Sequence, residues 1–585
     1  MSPSRSLVAL LLAAAAHSAR AQTAEGYGAY DPTQPHTVPP LPNPAPALDF
    51  PVQLDFGGNP TAGPEVAGSS LGVSIEMVLA EDIIGSSGTT VHPEFLNFVS
   101  QIKSRGGSPH WRLGGNSQEL AYVVDSVEAH QPGMNTLTMV YTPAIVDAMR
   151  TVSDALDMHW YIGVTMNVTD PPRLQFVELA QQKLGDYLVT MQLGNEPDLY
   201  ERKFRPNDGS YTPEVYYGEI QHMLDTMNAD PLITRKNING GPSQCNCNGD
   251  WQKIDVMSHY LDTFRSSINT VIVMEYPTNN CPGSSGAEPQ DYLNSITKHT
   301  GGGRYSAVGF GGRFSDELEK AKAHDLPSGF LGVSDTFAAG MFSVDVAMQF
   351  AQNGVQHSMM HLGGQRAYYN PFVNPPANSS APHKWTINSQ GYSLLVTAEA
   401  LGPSGKARVQ DLKDGQPVRV MLINYMTDAS GAHDFTARVS APAGVSEVYV
   451  RYLRAESTIA KTPSGYTWAG QTYGGYFESD GIPTGEQTTE TVQCVDGACP
   501  VKVPAPAVAL VFLTKTNMYD AVANPAQTWS VSPGSSASPT GSDGAAGATG
   551  TAGGKTGAAS SLSSNAHVGA LALGGIVLGL AALLF

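Results

Sequence analysis

Short apolar runs alternate with amphipathic segments from about residue 70 to residue 400, and this rhythm constrains the fold more than any other feature. Such alternation is typical of βα units, in which a helix follows each strand and covers the sheet. Three helix starts are predicted where an N-cap residue precedes proline, because the first helical position needs no N–H partner. They are Thr142-Pro143, Asp170-Pro171 and Thr212-Pro213.

Seven of the apolar runs are strand candidates: 71–77, 109–115, 160–167, 188–197, 237–243, 271–277 and 354–364. Seven strands with helices between them predict an α/β fold, a (β/α)8 TIM barrel in which the seventh strand segment is unaccounted for. After Leu401 the pattern changes to alternating β-branched runs at 418–425, 445–453 and 505–513, which predicts a β-sandwich. The proline-rich segment 29–56 is a candidate for a further strand of that sandwich.

Both ends of the chain carry export signals. Arg5, the apolar run 7–16 and the small-x-small site Ala19-Arg20-Ala21 predict a secretory signal peptide. The uncharged run 568–585 follows a segment rich in Ser and Gly, which is the layout of a glycosylphosphatidylinositol (GPI) anchor signal. The alternative is a C-terminal transmembrane helix of ~20 residues, but no Lys or Arg cluster follows it. We therefore expect an extracellular protein that a lipid anchor holds at the membrane, on the cell surface or in the cell wall.

These signals divide the chain into six predicted parts. They are a signal peptide (1–21), an extended N-terminal segment (22–69), the barrel (70–402), the β-sandwich (403–516), a Ser/Gly/Ala/Thr-rich stalk (517–565) and the anchor signal (566–585).

Charge and cysteine content limit the partners. A formal net charge of -19 argues against nucleic acid as a partner. Five cysteines in an exported chain favour disulfides, and Cys494 and Cys499 flank a short turn that a disulfide could close. The pairing of Cys245, Cys247 and Cys281 stays open, and no metal site is predicted because no histidine accompanies them at ligand spacing.

Two sequons fit export. Asn167-Val-Thr and Asn378-Ser-Ser predict N-glycosylation at Asn167 and Asn378.

Glu196 is the strongest catalytic candidate. It lies in the run Leu193-Gly194-Asn195-Glu196-Pro197, directly after the apolar stretch 187–191. A carboxylate at the C-terminal end of a barrel strand, between a side-chain amide and a rigid proline, is typical of the proton donor of a barrel glycosidase. The alternative is a glutamate that merely ends a strand.

Six runs occur together in an order that resembles glycoside hydrolase family 79, the family of β-glucuronidases and heparanase, in its fungal type. They are 71–76 (LGVSIE), 111–117 (WRLGGNS), 193–197 (LGNEP), 276–281 (YPTNNC), 332–337 (GVSDTF) and 361–364 (HLGG). The predicted sandwich resembles the C-terminal β domain of that family. The resemblance implies a retaining exo- or endo-β-glucuronidase that acts on a glucuronic-acid-containing glycan or glycoconjugate without a metal or an organic cofactor.

The resemblance also implies roles for single residues. Glu196 matches the general acid/base, and Asn195 matches a residue that binds the sugar 2-hydroxyl. Glu76 and Asn116 match hydroxyl-binding positions, for which a structural role is the alternative. The remaining matches are expected to shape the glucuronate pocket: Tyr276, His361, Gly364 and Tyr369.

The expected nucleophile is missing from the sequence. The resemblance places it at the end of the seventh strand, before the run that starts at Gly332. A predicted helix at 315–324 ends at 325–327, and only 328–331 separate Pro327 from that run. A strand of ~5 to 6 residues with its connections does not fit there. Glu275 is a weak substitute, because strand alternation turns either it or Tyr276 away from the pocket.

Three interpretations of this gap remain open. The first is an incorrect or alternatively spliced translation of an active glycosidase. The second is a catalytically inactive cell-surface protein that binds glycans. The third is an active enzyme with an unusual nucleophile.

Overall fold

The computed structural model describes residues 36–57, 63–125, 139–245, 249–275, 289–301, 303–311, 335–364, 369–375, 384–411, 417–522, 526–531 and 576–581. The predicted signal peptide, the helix expected at 315–324, Tyr276 and Asn378 lie outside these ranges.

The centre of the N-terminal part is a parallel sheet of seven strands, to which each of the seven predicted runs contributes one strand. The strands are β2 (Leu71–Glu76), β3 (His110–Gly114), β6 (His159–Val164), β7 (Leu188–Leu193), β8 (Asn239–Pro242), β9 (Ile268–Ile272) and β10 (Ser358–Leu362). Their order in the sheet is β10-β2-β3-β6-β7-β8-β9. The α/β architecture is thereby confirmed, with β9 and β10 as the two end strands of the sheet.

The helices follow the strands in the expected alternation. They are α1 (Ala80–Ile83), α2 (Pro93–Gly106), α3 (Ala144–Leu156), α4 (Gln175–Leu184), α5 (Tyr200–Lys203), α6 (Pro213–Ala229), α7 (Lys253–Phe264), α8 (Pro289–Ile296), α9 (Ala307–Gly311), α10 (Phe337–Asn353), α11 (Ser389–Leu401) and α12 (Lys515–Asp520). The prolines at 143 and 213 mark the starts of α3 and α6 as predicted.

Two details of the prediction were wrong. No helix starts at Asp170-Pro171, where a bridge between Thr169 and Pro172 closes a turn, and α4 begins only at Gln175. The sixth strand spans Ile268–Ile272 rather than 271–277, because the polar side chains of Asn269 and Thr270 bond to the neighbouring strand β7. Glu275 therefore follows the strand instead of lying on it.

The remaining strands are mostly short. They are β1 (Asp49–Val52), β4 (Ala121–Val123), β5 (Met139–Tyr141), β11 (Phe372–Val373), β12 (Thr386–Ile387), β13 (Ala407–Asp411), β14 (Pro417–Asn424), β15 (Phe435–Ser440), β16 (Glu447–Arg454), β17 (Thr467–Trp468), β18 (Glu490–Gln493), β19 (Ala498–Val503), β20 (Ala507–Phe512) and β21 (Ile576–Ala581).

The C-terminal part consists of two sheets that share an apolar core. One sheet has the order β1-β15-β19, so the N-terminal segment does add a strand, in parallel with β15. The other has the order β13-β21-β14-β20-β16-β17, with β18 beside β16. Strand β20 is buried on both faces: Val508, Leu510 and Phe512 pack on the N-terminal part, and Ala509 and Val511 pack in the core between the two sheets.

Two features of the C-terminal part bear on the sequence predictions. A disulfide joins Cys494 to Cys499. Residues 576–581, inside the predicted anchor signal, pair in parallel with β13 and β14. None of the helices in the described ranges is both long and apolar enough to cross a membrane.

A buried ionic cluster joins the two parts of the molecule. Glu399 of α11 is fully buried and accepts hydrogen bonds from Arg105 of α2 (3.1 Å), Trp468 of β17 (3.0 Å) and Arg451 of β16. Burial alone would raise the pKa of Glu399, but the two guanidinium groups lower it. The cluster fixes the barrel helices against the sandwich, on side chains separate from the candidate site.

Candidate active site

The predicted site residues gather where the parallel strands end. Glu76 is the last residue of β2, Asn116 follows β3, and Asn195 and Glu196 follow β7. His361 lies near the end of β10, which pairs with β2. Carboxyl ends of parallel strands meet at one edge of a sheet, which is where barrel enzymes bind their substrates.

The chain leaves β7 through a turn with left-handed backbone. Gly194 has φ 74°, and a Cβ there would lie 2.7 Å from the Tyr200 hydroxyl, so the position requires glycine. Glu196 has φ 52° and ψ 58°, and its N–H donates to the carbonyl of Ser243 at 3.0 Å. A non-glycine residue in this region is uncommon and is often found at functional sites.

Glu196 combines burial with few strong donors. It is 9% exposed, and its Oε2 lies 3.5 Å from Nζ of Lys203. Burial raises the pKa of Glu196; the charge of Asp198 adds to that effect, while Lys203 and His361 oppose it. A raised pKa lets a carboxyl group carry a proton nearer to neutral pH, as a general acid must.

Lys203 connects Glu196 to the neighbouring amides. Its Nζ also donates to Oδ1 of Asn116 at 2.8 Å, and the same oxygen accepts from Nδ2 of Asn195 at 3.3 Å. Lys203 therefore joins Asn116 to Glu196, and Asn116 in turn joins Asn195.

Glu76 has strong donors instead. Its Oε2 lies 3.0 Å from Nε2 of His361, and its Oε1 accepts from the Ser117 N–H at 2.7 Å and from the Ser117 hydroxyl. His361 is oriented by a contact of 3.2 Å between Nδ1 and the Ser74 hydroxyl. Burial would raise the pKa of Glu76, but the hydrogen bonds and the charge of His361 lower it to about 2.

Arg112 lies beneath these residues and was missed by the sequence interpretation. It is 5% exposed, and its guanidinium donates to Asn195 Oδ1 (2.8 Å), Ser74 Oγ (2.8 Å), Gln118 Oε1 (3.0 Å) and Gln192. An arginine inside an apolar strand was the available signal, since such a side chain must find buried acceptors.

Of the residues predicted to shape the glucuronate pocket, Gly364 follows β10 and Tyr369 lies near His361. The ring of Tyr369 stacks near that of His361, with centroids 6.1 Å apart. Gly364 has φ 89°, and a Cβ there would lie 3.2 Å from the Leu79 side chain. The sequon residue Asn167 is half-buried at the end of β6, and its N–H donates to Glu119 at 2.9 Å.

Glu275 has a cationic partner. Its Oε2 lies 3.5 Å from Nζ of Lys253 on α7. Residues 312–334, where the seventh strand and its nucleophile are expected, lie outside the described ranges. Within those ranges no group of three or more His, Cys, Asp or Glu side chains could hold a metal ion.

Three comparisons bear on this site. A family model, the glycosyl hydrolase family 79 C-terminal beta domain, matches residues 409–510. A β-glucuronidase of Aspergillus niger is 22% identical over 518 residues, which is 75% of this chain and 90% of that protein. The chain is thus similar to β-glucuronidases and carries a C-terminal domain that matches glycoside hydrolase family 79.

A solved structure supports the fold of this family 79-like chain. The 4-O-α-L-rhamnosyl-β-D-glucuronidase of Fusarium oxysporum 12S, in its Rha-GlcA complex, aligns with a TM-score of 0.61 at 18% identity. The alignment covers 80% of this chain and all of that one. The two chains therefore share a fold over the aligned part.

Proposed function

We propose that the site binds a β-linked glucuronide and that Glu196 is the general acid/base of a retaining hydrolysis. The observation that carries the proposal is the state of Glu196: a buried carboxyl group with a raised pKa, directly after Asn195 at the end of β7. The glucuronidase names of both relatives support the choice of sugar.

The surrounding residues have complementary roles in this proposal. Asn195 binds the sugar 2-hydroxyl, and Glu76 with Asn116 binds further hydroxyls. His361, Gly364, Tyr369 and Tyr276 shape the pocket for the glucuronate carboxylate. Glu76 suits an acceptor of sugar hydroxyls because its pKa of about 2 keeps it ionised.

The reaction requires a second carboxylate. In a retaining mechanism Glu196 gives its proton to the glycosidic oxygen while a nucleophile attacks the sugar carbon, and the aglycone leaves as an alcohol. Glu196 then takes a proton from the water that releases the sugar. The attacking group belongs at the end of a seventh strand in an eight-stranded barrel, which 328–331 are too few to supply.

That shortage favours a second candidate function, glycan binding without hydrolysis. Both candidates share the sugar contacts and differ only in the second carboxylate. Comparing the transcript with the genomic DNA at the codons for Pro327 and Gly332 tests whether coding sequence has been lost. In-frame coding sequence there for a further strand that ends in a glutamate would restore the hydrolase.

The direct test uses two ligands and one variant. Hydrolysis of an aryl β-glucuronide by the wild type, lost in Glu196→Gln, establishes the enzyme. Glucuronate binding by both proteins, with turnover by neither, establishes the binding protein. A wild type that neither hydrolyses glucuronides nor binds glucuronate contradicts both candidates.

We also propose that the mature protein is extracellular and GPI-anchored, with residues 566–585 removed when the lipid is attached. The stretch 568–585 carries no charge. Strand β21 would then belong to the precursor only. Release of the protein from intact cells by a phosphatidylinositol-specific phospholipase tests this, and a protein that stays membrane-bound after treatment contradicts it.

A further inference from the structure

Glu119 is a fully buried carboxylate behind the candidate site. It lies in the single 3-10 turn Asn116–Leu120 that follows β3. Its Oε1 accepts hydrogen bonds from the Asn195 N–H at 2.8 Å and from the Tyr200 hydroxyl at 2.6 Å. Its Oε2 accepts from the N–H groups of Met166 at 2.7 Å and Asn167 at 2.9 Å. One side chain thus ties the turn after β3 to the residues that follow β6 and β7.

These four partners, and the Thr165 hydroxyl 3.4 Å from Oε2, are all donors, which suits an ionised carboxylate because it only accepts. A glutamine in the same place would direct its NH2 group at donors on one side. These would be either the Asn195 N–H and the Tyr200 hydroxyl, or the N–H groups of Met166 and Asn167. Burial raises the pKa of Glu119 above its ordinary value, and the hydrogen bonds from the Tyr200 hydroxyl and the backbone N–H groups offset part of that rise.

Asn195 needs such an anchor. It lies between two residues with left-handed backbone, Gly194 at φ 74° and Glu196 at φ 52°. Surrounding contacts must hold such a backbone in place. Glu119 and Tyr200 both contact the Asn195 N–H, the latter at 3.1 Å, while Arg112 and Asn116 fix its side-chain amide.

We propose that Glu119 is a positioning residue for sugar recognition: it holds the Asn195 backbone so that the side-chain amide meets the sugar 2-hydroxyl. This inference rests on the proposed function, because the 2-hydroxyl contact of Asn195 belongs to it. Glu119 itself stays behind the site and touches no sugar atom.

The chain provides a matched control in Glu399. It too is a fully buried glutamate with several strong donors, but its partners Arg105, Arg451 and Trp468 join the barrel to the sandwich. A merely structural role for Glu119 predicts that Glu119→Gln and Glu399→Gln behave alike. They would lower the melting temperature without a change in ligand affinity.

The experiment measures glucuronate binding by calorimetry and Tm by circular dichroism, on the full chain and both variants. We expect Glu119→Gln to weaken glucuronate binding about tenfold, because misplaced hydrogen-bond groups typically have that effect. Glu399→Gln should lower Tm and keep the affinity within about twofold of the wild type. Unchanged affinity in folded Glu119→Gln overturns the proposal.

A second ligand separates positioning from general distortion. 2-Deoxyglucuronate lacks the hydroxyl that Asn195 binds, so wild type and Glu119→Gln should bind it equally. Equal losses for glucuronate and 2-deoxyglucuronate overturn the proposal. If Glu119→Gln does not fold, Tyr200→Phe removes one hydroxyl from the same carboxylate, and unchanged glucuronate affinity there overturns it as well.

The outcomes separate this inference from the proposed function. A wild type that does not bind glucuronate at all refutes the proposed function and the inference with it. A wild type that binds glucuronate, with an unaffected Glu119→Gln, refutes the role of Glu119 alone.

Discussion

The ends of β2 and β7 each present a glutamate that is 9% exposed, yet the two carboxyl groups differ in pKa. Glu76 at the end of β2 has its pKa lowered to about 2, whereas the pKa of Glu196 after β7 is raised. Burial opposes ionisation at both sites, so the partners decide the outcome. Three donor groups from His361 and Ser117 contact Glu76, while Glu196 has Lys203 at 3.5 Å and the like charge of Asp198 nearby.

The difference assigns two roles to one residue type. A carboxylate held by several donors keeps its charge and serves as a fixed acceptor, which suits binding of hydroxyl groups. A carboxyl group that is buried with fewer donors holds its proton longer, which suits acid catalysis.

Glu196→Gln should abolish acid catalysis while the contacts of Glu76 stay intact. For a glucuronide with a poor leaving group, kcat/KM should fall by roughly 10²- to 10⁴-fold, the usual share of general acid–base catalysis. For a good leaving group such as dinitrophenolate, bond cleavage should fall far less because no proton is needed. Initial rates across an aryl glucuronide series measure this. Equal losses for all leaving groups would identify Glu196 as something other than the acid.

The sequence predicted Glu76 and Glu196 at strand ends, although the predicted run 188–197 extends past the observed end of β7 at Leu193. It did not identify the partners. Ser117 and Lys203 are ordinary polar residues in their own segments, and only the turns after β3 and β7 bring them to Glu76 and Glu196. Nothing in the sequence around Glu119 distinguishes it from a solvated loop glutamate, although it is fully buried.

The sixth strand shows a second limit of the sequence pattern, which misplaced the bounds of β9. The apolar run from Val271 to Met274 suggested a strand reaching Glu275, but Asn269 and Thr270 start the strand earlier by bonding to β7. A pattern based on hydrophobicity does not detect polar side chains that form hydrogen bonds across a sheet. Tertiary hydrogen bonds therefore decided the register that placed Glu275 beyond the strand.

Acid should destabilise the protein through Glu76 in a defined pH window. The folded pKa of about 2 lies below the ordinary value of 4.5, so the stabilisation is complete above pH 4.5 and is lost as pH falls towards 2. The loss is on the order of 3 kcal/mol. Urea unfolding from pH 7 to 2.5 should show this slope in the wild type below pH 4.5 and a flatter one in Glu76→Gln.

His110, the first residue of β3, provides the control for that measurement. His110 stacks on His159 and His357, with ring centroids 4.7 and 4.4 Å away, and burial with the charge of His159 lowers its pKa to about 4. Its stabilisation is complete above pH 6.5 and is lost as pH falls towards 4. His110→Gln should flatten the upper window only. A flat lower window in that variant would show that the acid loss does not come from Glu76.

Glu76→Gln should also weaken glucuronate binding at neutral pH, by about tenfold to a hundredfold. A glutamine directs NH2 at His361 or at Ser117, and hydrogen bonds to charged groups contribute about 1.5 to 3 kcal/mol. Ser117→Ala removes one hydroxyl donor and leaves the carboxylate, so its loss of affinity should be smaller. Calorimetric titration compares the two, and a greater loss in Ser117→Ala would reverse the assignment of the binding group.

Lys203→Met should widen the difference in pKa between Glu196 and Glu76. The lysine is the strongest of the influences that oppose burial, so its removal raises the pKa of Glu196 further. Catalysis by a protonated acid declines as pH rises through that pKa, so the basic limb of the kcat/KM profile should move to higher pH. In a chain without turnover, a ¹³C-detected titration of the Glu196 carboxyl group measures the same shift. Arg202→Met, an exposed cation on the same short helix, should leave the profile in place. A basic limb that moves to lower pH in Lys203→Met would mean that Lys203 does not favour the ionised form of Glu196. The difference in pKa between Glu76 and Glu196 would then have a cause other than their partners.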